Sequence, residues 1–180
     1  PTPPDQSALG EVRPGDIRYK DLNNDGVIDS KDVKAIGYTD VPEIVYGFGV
    51  SAQWKGFDVS VFFQGNDHVS FSINSSMVRG FTEPKMAANN VFSDIYGNYW
   101  TESNTDAKYP RLTTTEATNN NQSSDFWLVN GRYLRLKNAE FGYTFPKKLI
   151  QKIRLSQLRI FVSGTNLLTF APFKLWDPAL

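Results

Sequence analysis

The sequence predicts an all-β fold: antiparallel strands of a membrane-spanning β-barrel, joined to a calcium-loop segment and one long external loop. Three observations predict it. Apolar and polar residues alternate over segments of about ten residues, the length a tilted membrane strand needs. The links between these segments run short, very long and then moderate, an asymmetry usual in outer-membrane barrels and rare in soluble sandwiches. Aromatics are abundant, with 13 Phe, 8 Tyr and 4 Trp among 180 residues, and with many Gly they favour strand over helix.

Residues 1–42 are expected to be an extracellular loop. Pro1–Gly10 is polar and Pro-rich and opens without Met, so the N-terminus is expected to be a cut end. Asp21 to Asp32 follows a twelve-residue calcium loop. Calcium is a hard ion that takes six to eight oxygens. Asp21, Asn23 and Asp25 place oxygen donors at positions 1, 3 and 5 of the loop. Gly26 permits the sharp turn, Val27 offers its carbonyl, Ile28 anchors the loop on a core, and Asp29 and Asp32 complete the set. Asp32 replaces the Glu of an EF-hand, a shorter arm that resembles dockerin-type loops. The same pattern fits an Asx-rich turn without metal. A single loop points to a structural calcium ion, not to a sensor.

Residues 43–180 are expected to form a partial transmembrane barrel, with strands near 43–54, 57–65, 126–145 and 157–170. In the first pair Ile44, Tyr46, Phe48, Val50, Ala52 and Trp54 share one face, and Phe57, Val59, Val61 and Phe63 continue it across a Lys55-Gly56 turn. Residues 66–125 read as a long external loop. In the third strand Leu134 and Leu136 have one parity and Ala139, Phe141, Tyr143 and Phe145 the other. A bulge near Lys137-Asn138 would return both sets to one side, the preferred reading; the alternative is that the upper half of the strand stands clear of the membrane and follows no lipid rule. A short basic connector follows, in which Leu149, Ile150 and Ile153 suggest a helical turn. The last strand aligns Leu158, Ile160, Val162, Gly164 and Leu168, with Asn166 interrupting them. The short links belong in the periplasm and the long loop outside the cell.

Composition narrows the function. Nineteen basic residues balance nineteen acidic ones, so no basic stripe for nucleic acid is expected. With no Cys and one His, thiolate metal sites, disulfides and multi-His zinc sites are excluded. Glu43, Asp58, Glu102, Asp106 and Glu140 could supply a carboxylate pair for glycoside hydrolysis, but their spacing selects no two of them, and no enzyme is expected. Phe81, Tyr96, Tyr99, Trp100, Tyr109 and Trp127 could stack on a ligand or pack the long loop against itself.

Several stretches in order resemble the C-terminal part of SusC/RagA-type TonB-dependent transporters. They are Gly15-Asp16-Ile17-Arg18-Tyr19 running into the calcium-like loop, Tyr46-Gly47-Phe48-Gly49, Tyr99-Trp100-Thr101, Lys108-Tyr109-Pro110-Arg111-Leu112, Tyr133-Leu134-Arg135-Leu136-Lys137-Asn138, Gly142-Tyr143-Thr144-Phe145-Pro146, Ser163-Gly164-Thr165-Asn166-Leu167-Leu168 and Trp176-Asp177-Pro178. The resemblance implies a large outer-membrane barrel that imports glycans or peptides across the outer membrane of Bacteroidetes-type bacteria. It implies a SusD-like lipoprotein as lid, outer-membrane lipid around the wall, and TonB–ExbB–ExbD pulling on an N-terminal plug. It also implies that the plug, most of the barrel and the final strand lie outside these residues. The competing expectation is a secreted, calcium-stabilised, carbohydrate-binding β-sandwich.

Overall fold

The computed structural model describes residues 3–74, 78 and 91–179. Its principal element is an open four-stranded antiparallel sheet, whose strands in spatial order are residues 44–54, 57–67, 133–144 and 159–170. The strands are β1 (Ile44–Trp54), β2 (Phe57–Asp67), β5 (Tyr133–Thr144) and β6 (Arg159–Phe170); the short strands β3 (Ser70–Ser72) and β4 (Leu128–Asn130) form a separate ladder. The sequence suggests one strand over 126–145. The structure instead breaks it at Gly131-Arg132, where Gly131 N donates to Val69 O at 3.0 Å and a Cβ on Gly131 would lie 2.9 Å from the Phe71 ring. Among the described residues no helix is long and apolar enough to cross a membrane.

The β1–β2 link is as short as a hairpin permits. Lys55 (φ 48°) and Gly56 (φ 91°) both have positive φ, the geometry of a type I′ turn whose twist matches the strands it joins. A Cβ on Gly56 would stand 2.7 Å from the Thr144 carbonyl oxygen. Gly56→Val is therefore expected to destabilise the hairpin by about 1–2 kcal/mol, read as a lower unfolding temperature of the protein with its fold otherwise retained.

The bulge expected near Lys137-Asn138 is present. Phe62 pairs with Asn138 and Phe63 with Leu136, so Lys137 is an extra residue relative to β2. On the other side, Leu136 pairs with Leu168 and Asn138 with Thr165, and Asn166 takes a left-handed φ of 52° within this wider step. The consequence is a continuous register. Val50, Val61, Ala139 and Gly164 form one row across the sheet, and Phe48, Phe63, Leu136 and Leu168 form another.

The chain divides into two compact units: Pro1–Gly37 with Ser72–Val129, and Tyr38–Phe71 with Asn130–Leu180. This differs from a division at residue 42. Residues from the expected extracellular segment and from the long loop build one body together. Its interior mixes buried Ile17, Ile28, Ile95, Tyr109 and Trp127 with buried Gln6, Asn119 and Asn120. Buried amides need partners, and these have them. Gln6 Nε2 donates to Ile17 O and to Asn119 Oδ1, both at 2.9 Å. Asn119 Nδ2 donates to Ile17 O at 2.9 Å. Trp127 Nε1 donates to Asn120 O at 2.7 Å. The Tyr19 hydroxyl donates to Asn119 O at 2.7 Å, and burial pushes its pKa up to about 12.

Candidate functional site

The sheet has two chemically different faces, and every strand contributes to both. Alternation sends successive side chains to opposite sides. One side carries Phe48, Val50 and Trp54 from β1, Phe57 and Val59 from β2, Phe141 from β5, and Ile160, Val162, Leu168 and Phe170 from β6, all exposed. Val50 and Val162 are each 67 % exposed. A contiguous apolar surface running across four strands marks a contact face for a membrane or another protein, unlike singly scattered exposed residues. At about 3.3 Å per residue and a tilt near 45°, strands of this length rise roughly 25 Å, the height of a barrel's apolar band. At the hairpin end the surface finishes in aromatics. The Phe57 and Tyr143 rings lie 4.5 Å apart, and Lys55 Nζ stands 4.6 Å from the exposed Trp54 ring.

The opposite face is mixed: exposed Val45, Phe62 and Phe161 stand among charged and polar groups. Arg159 is held between two carboxylates: Nε donates to Asp58 Oδ1 at 3.1 Å, and Nη2 donates to Asp58 Oδ2 and, at 2.6 Å, to Glu140 Oε1. Gly142 leaves the space for this triad, since a Cβ there would meet Arg159 Nη2 at 2.4 Å and Asp58 Oδ2 at 2.6 Å. Two carboxylates from the sequence's candidate pool are thus brought together, and the one guanidinium between them pairs with both, leaving the triad one negative charge in excess. Arg135, buried on the same face, donates from Nε to Thr169 Oγ1 at 3.1 Å and from Nη2 to Asp177. Of the other acids, Glu43 lies 3.1 Å from His68 Nδ1, and the His68 ring stacks on Tyr38 at 4.4 Å.

The calcium-like segment folds as a chain of Asx turns. Asp21 accepts from the Asn24 and Gly26 amides at 2.6 and 2.8 Å, Asn23 Oδ1 from Asp25 N at 2.9 Å, and Asp25 Oδ1 from Val27 N at 3.0 Å. Asp32 accepts from Leu22 N at 2.7 Å and from Asp29 N at 2.9 Å. Ile28 is buried as an anchor. The place where a second loop would pair is taken by Asp5, which bonds Gly26 O and Ile28 N at 2.8 and 2.7 Å. The backbone therefore has the shape of such a loop. The side chains do not form a cage: Lys31 Nζ lies 3.8 Å from Asp25 and 3.6 Å from Asp29. Among the described residues no three acidic or His side chains gather for a metal ion. Backbone hydrogen bonds, from Val27 to Asp25 and from Asp29 and Leu22 to Asp32, hold both carboxyls below the usual range.

Of the aromatic candidates, Tyr109 and Trp127 are buried and Tyr96 is 78 % exposed, while Phe81 lies outside the described residues. Trp100 lies against Gly15, where a Cβ would stand 2.3 Å from its ring. Sequence reasoning missed the centre of this unit. The Asp16 carboxylate is fully buried and lies 2.8 Å from Arg111. Asp16 also accepts from Arg13 N and from Asn120 Nδ2, each at 2.8 Å, and Arg111 N donates to Gly15 O at 2.9 Å. The available signal was that Gly15-Asp16-Ile17 and Tyr109-Pro110-Arg111 both belong to the stretches carrying the resemblance.

No protein-family model matches the chain. Among curated proteins it is 32 % identical over 172 residues to TonB-dependent receptor P3 of Formosa agariphila, a match covering 94 % of this chain and 16 % of that receptor. TonB-dependent receptor P26 of the same organism is 28 % identical over 169 residues, covering 91 % and 16 %. Among solved structures, the RagAB peptide importer in its open-open state superposes with a TM-score of 0.62 at 25 % identity, over 90 % of this chain and 18 % of that one. The chain belongs with the SusC/RagA-type TonB-dependent receptors. The RagAB importer in its closed-closed state gives a TM-score of 0.61 at 24 % identity over 88 % of this chain, which supports the fold. The chain spans about one sixth of the receptors it matches, 16 % of each. Its strands make a β-rich segment of a TonB-dependent receptor barrel.

Proposed function

We propose that this chain forms part of the wall of an outer-membrane importer for glycans or peptides. In this reading a SusD-like lipoprotein serves the same channel, and TonB–ExbB–ExbD acts through parts of the protein outside this chain. The two-faced sheet carries the reading. Its apolar face suits outer-membrane lipid, and its mixed face, with Arg159 and Arg135 paired to acids, suits a water-filled lumen. The Lys55-Gly56 turn and the 145–158 connector share one end of the sheet, which is assigned to the periplasm because barrel turns are short there. The solved relatives are described as a peptide importer, which favours the peptide arm. The test expresses the full-length receptor in a Gram-negative host. Recovery in the outer-membrane fraction is expected, with loss of uptake of labelled oligopeptides when the gene is deleted; recovery in the cytosol or the inner membrane overturns the reading.

We also propose a structural calcium ion held by Asp21, Asn23, Asp25, Val27, Asp29 and Asp32. The ligand spacing and the Gly26 turn support it. Binding requires the carboxylates to turn inward and Lys31 to withdraw. Calcium is expected to protect residues 18–32 from protease, and Asp25→Ala to abolish that protection. Equal cleavage with calcium and with chelator refutes the ion. Because Asp25 and Asp32 have lowered folded pKa values, they favour the folded loop above the ordinary carboxylate range. That contribution is lost as pH falls below about 4, so the protease resistance of the calcium-free loop is expected to fall on acidification.

A further inference from the structure

The connector between β5 and β6 has a composition that a plain turn does not need. Between Phe145 and Leu158 it carries Lys147, Lys148, Lys152 and Arg154 and no acidic residue. It is also apolar on its outside: Leu149 is 57 % exposed, Ile153 63 % and Leu155 42 %, whereas Ile150 is buried. The conformation is defined. Lys147–Ile150 forms one helical turn and Gln151–Ile153 a 3-10 turn. Arg154 then closes the segment in the left-handed region at φ 59°, and Leu155 N donates to Ile150 O at 3.2 Å. Leu149 and Ile153 are four residues apart, so they share a side of the turn.

We propose that this connector is an interfacial foot that binds the phosphate headgroups of anionic phospholipid at the border of the apolar face. Two observations select this occupant. The first is charge complementarity: four exposed cations without a single anion stand beside exposed apolar side chains, the composition of segments that lie in a membrane's headgroup layer. The second is continuity with the lipid face. β5 ends at Thr144 and β6 begins at Arg159, so the connector starts where the aromatic border of Trp54, Phe57 and Tyr143 lies. Lys55, beside Trp54, extends the cationic rim. The inference rests on the proposed membrane reading.

The test uses the full-length receptor reconstituted in phosphatidylcholine vesicles with and without phosphatidylglycerol, reading the midpoint of thermal unfolding. Phosphatidylglycerol is expected to raise the midpoint of the wild type by several degrees, and high salt to erase the gain. The variant combining Lys147→Gln, Lys148→Gln, Lys152→Gln and Arg154→Gln is expected to match the wild type in phosphatidylcholine and to lose most of the gain. An equal gain in wild type and variant overturns the proposal. So does an equal fall of the variant's midpoint in both lipids, which makes the cations structural. A gain reproduced by inorganic phosphate in phosphatidylcholine vesicles overturns the lipid as the source. Failure to insert in either vesicle instead sinks the membrane reading itself.

Discussion

Replacing Asp16 by Ala is expected to cost the loop unit about 3–5 kcal/mol, the range for breaking a buried ion pair by removing one partner. The Asp16 carboxylate has no solvent exposure, and the Arg111 side chain beside it is only 19 % exposed. Truncation leaves that guanidinium largely desolvated without its counter-charge. It also removes the acceptor for Asn120 Nδ2 and for the Arg13 amide. Asn120 in turn accepts the Ile17 amide at 2.8 Å, so the loss propagates into the polar core. Asp16→Asn keeps an acceptor without the charge and is expected to cost less. A double change, Asp16→Ala with Arg111→Met, is expected to cost less than the sum of the two, since both act on one pair. The measurement is thermal unfolding of the full-length receptor with limited proteolysis within 91–129. Wild-type protease resistance in Asp16→Ala would remove the ion pair from its central place.

The two units were legible in the sequence to very different degrees, and the reason is physical. A sheet with one apolar face imposes a period of two on every strand, so Ile44–Trp54 and Phe57–Phe63 announced themselves. The change of parity between Leu136 and Ala139 marked the bulge, because a single inserted residue is what returns both sets to the same side. The break at Gly131 was not legible: the residues Gly131 bonds and packs against there, Val69 and Phe71, lie some sixty residues earlier in the chain. The loop unit has no period at all. Its core is assembled by amide hydrogen bonds from Gln6 to Asn119 and from Asn119 to Ile17, each spanning about a hundred residues, and such pairings leave no local pattern to read. The calcium-like loop lies between these cases. Its backbone turn followed from Gly26 and the spaced Asx residues, whereas the side-chain directions depend on which partner, amide, Lys31 or ion, the carboxylates face.

Val50→Arg is expected to cost about 2–4 kcal/mol, the penalty for a basic residue near the midplane of a barrel's lipid face, although Val50 is 67 % exposed. Ser51→Arg, one residue along, is expected to be nearly neutral. The pair isolates the solvent on each side of the sheet. Val50 pairs with Val61 and Ser51 with Ser60, so the two positions share a strand and a ladder and differ in the face to which they point. In water, charges at two exposed positions would each change stability by less than about 0.5 kcal/mol, and no asymmetry would arise. In lipid, the guanidinium at residue 50 must stay desolvated or draw water into the bilayer, whereas the one at residue 51 meets the lumen beside Gln53 and Ser60. The readout is the urea midpoint of the full-length receptor folded in lipid vesicles, with the outer-membrane yield of each variant in cells as a second measure. Equal midpoints for the two variants would mean that both faces meet the same solvent, and the barrel-wall reading would fall with them.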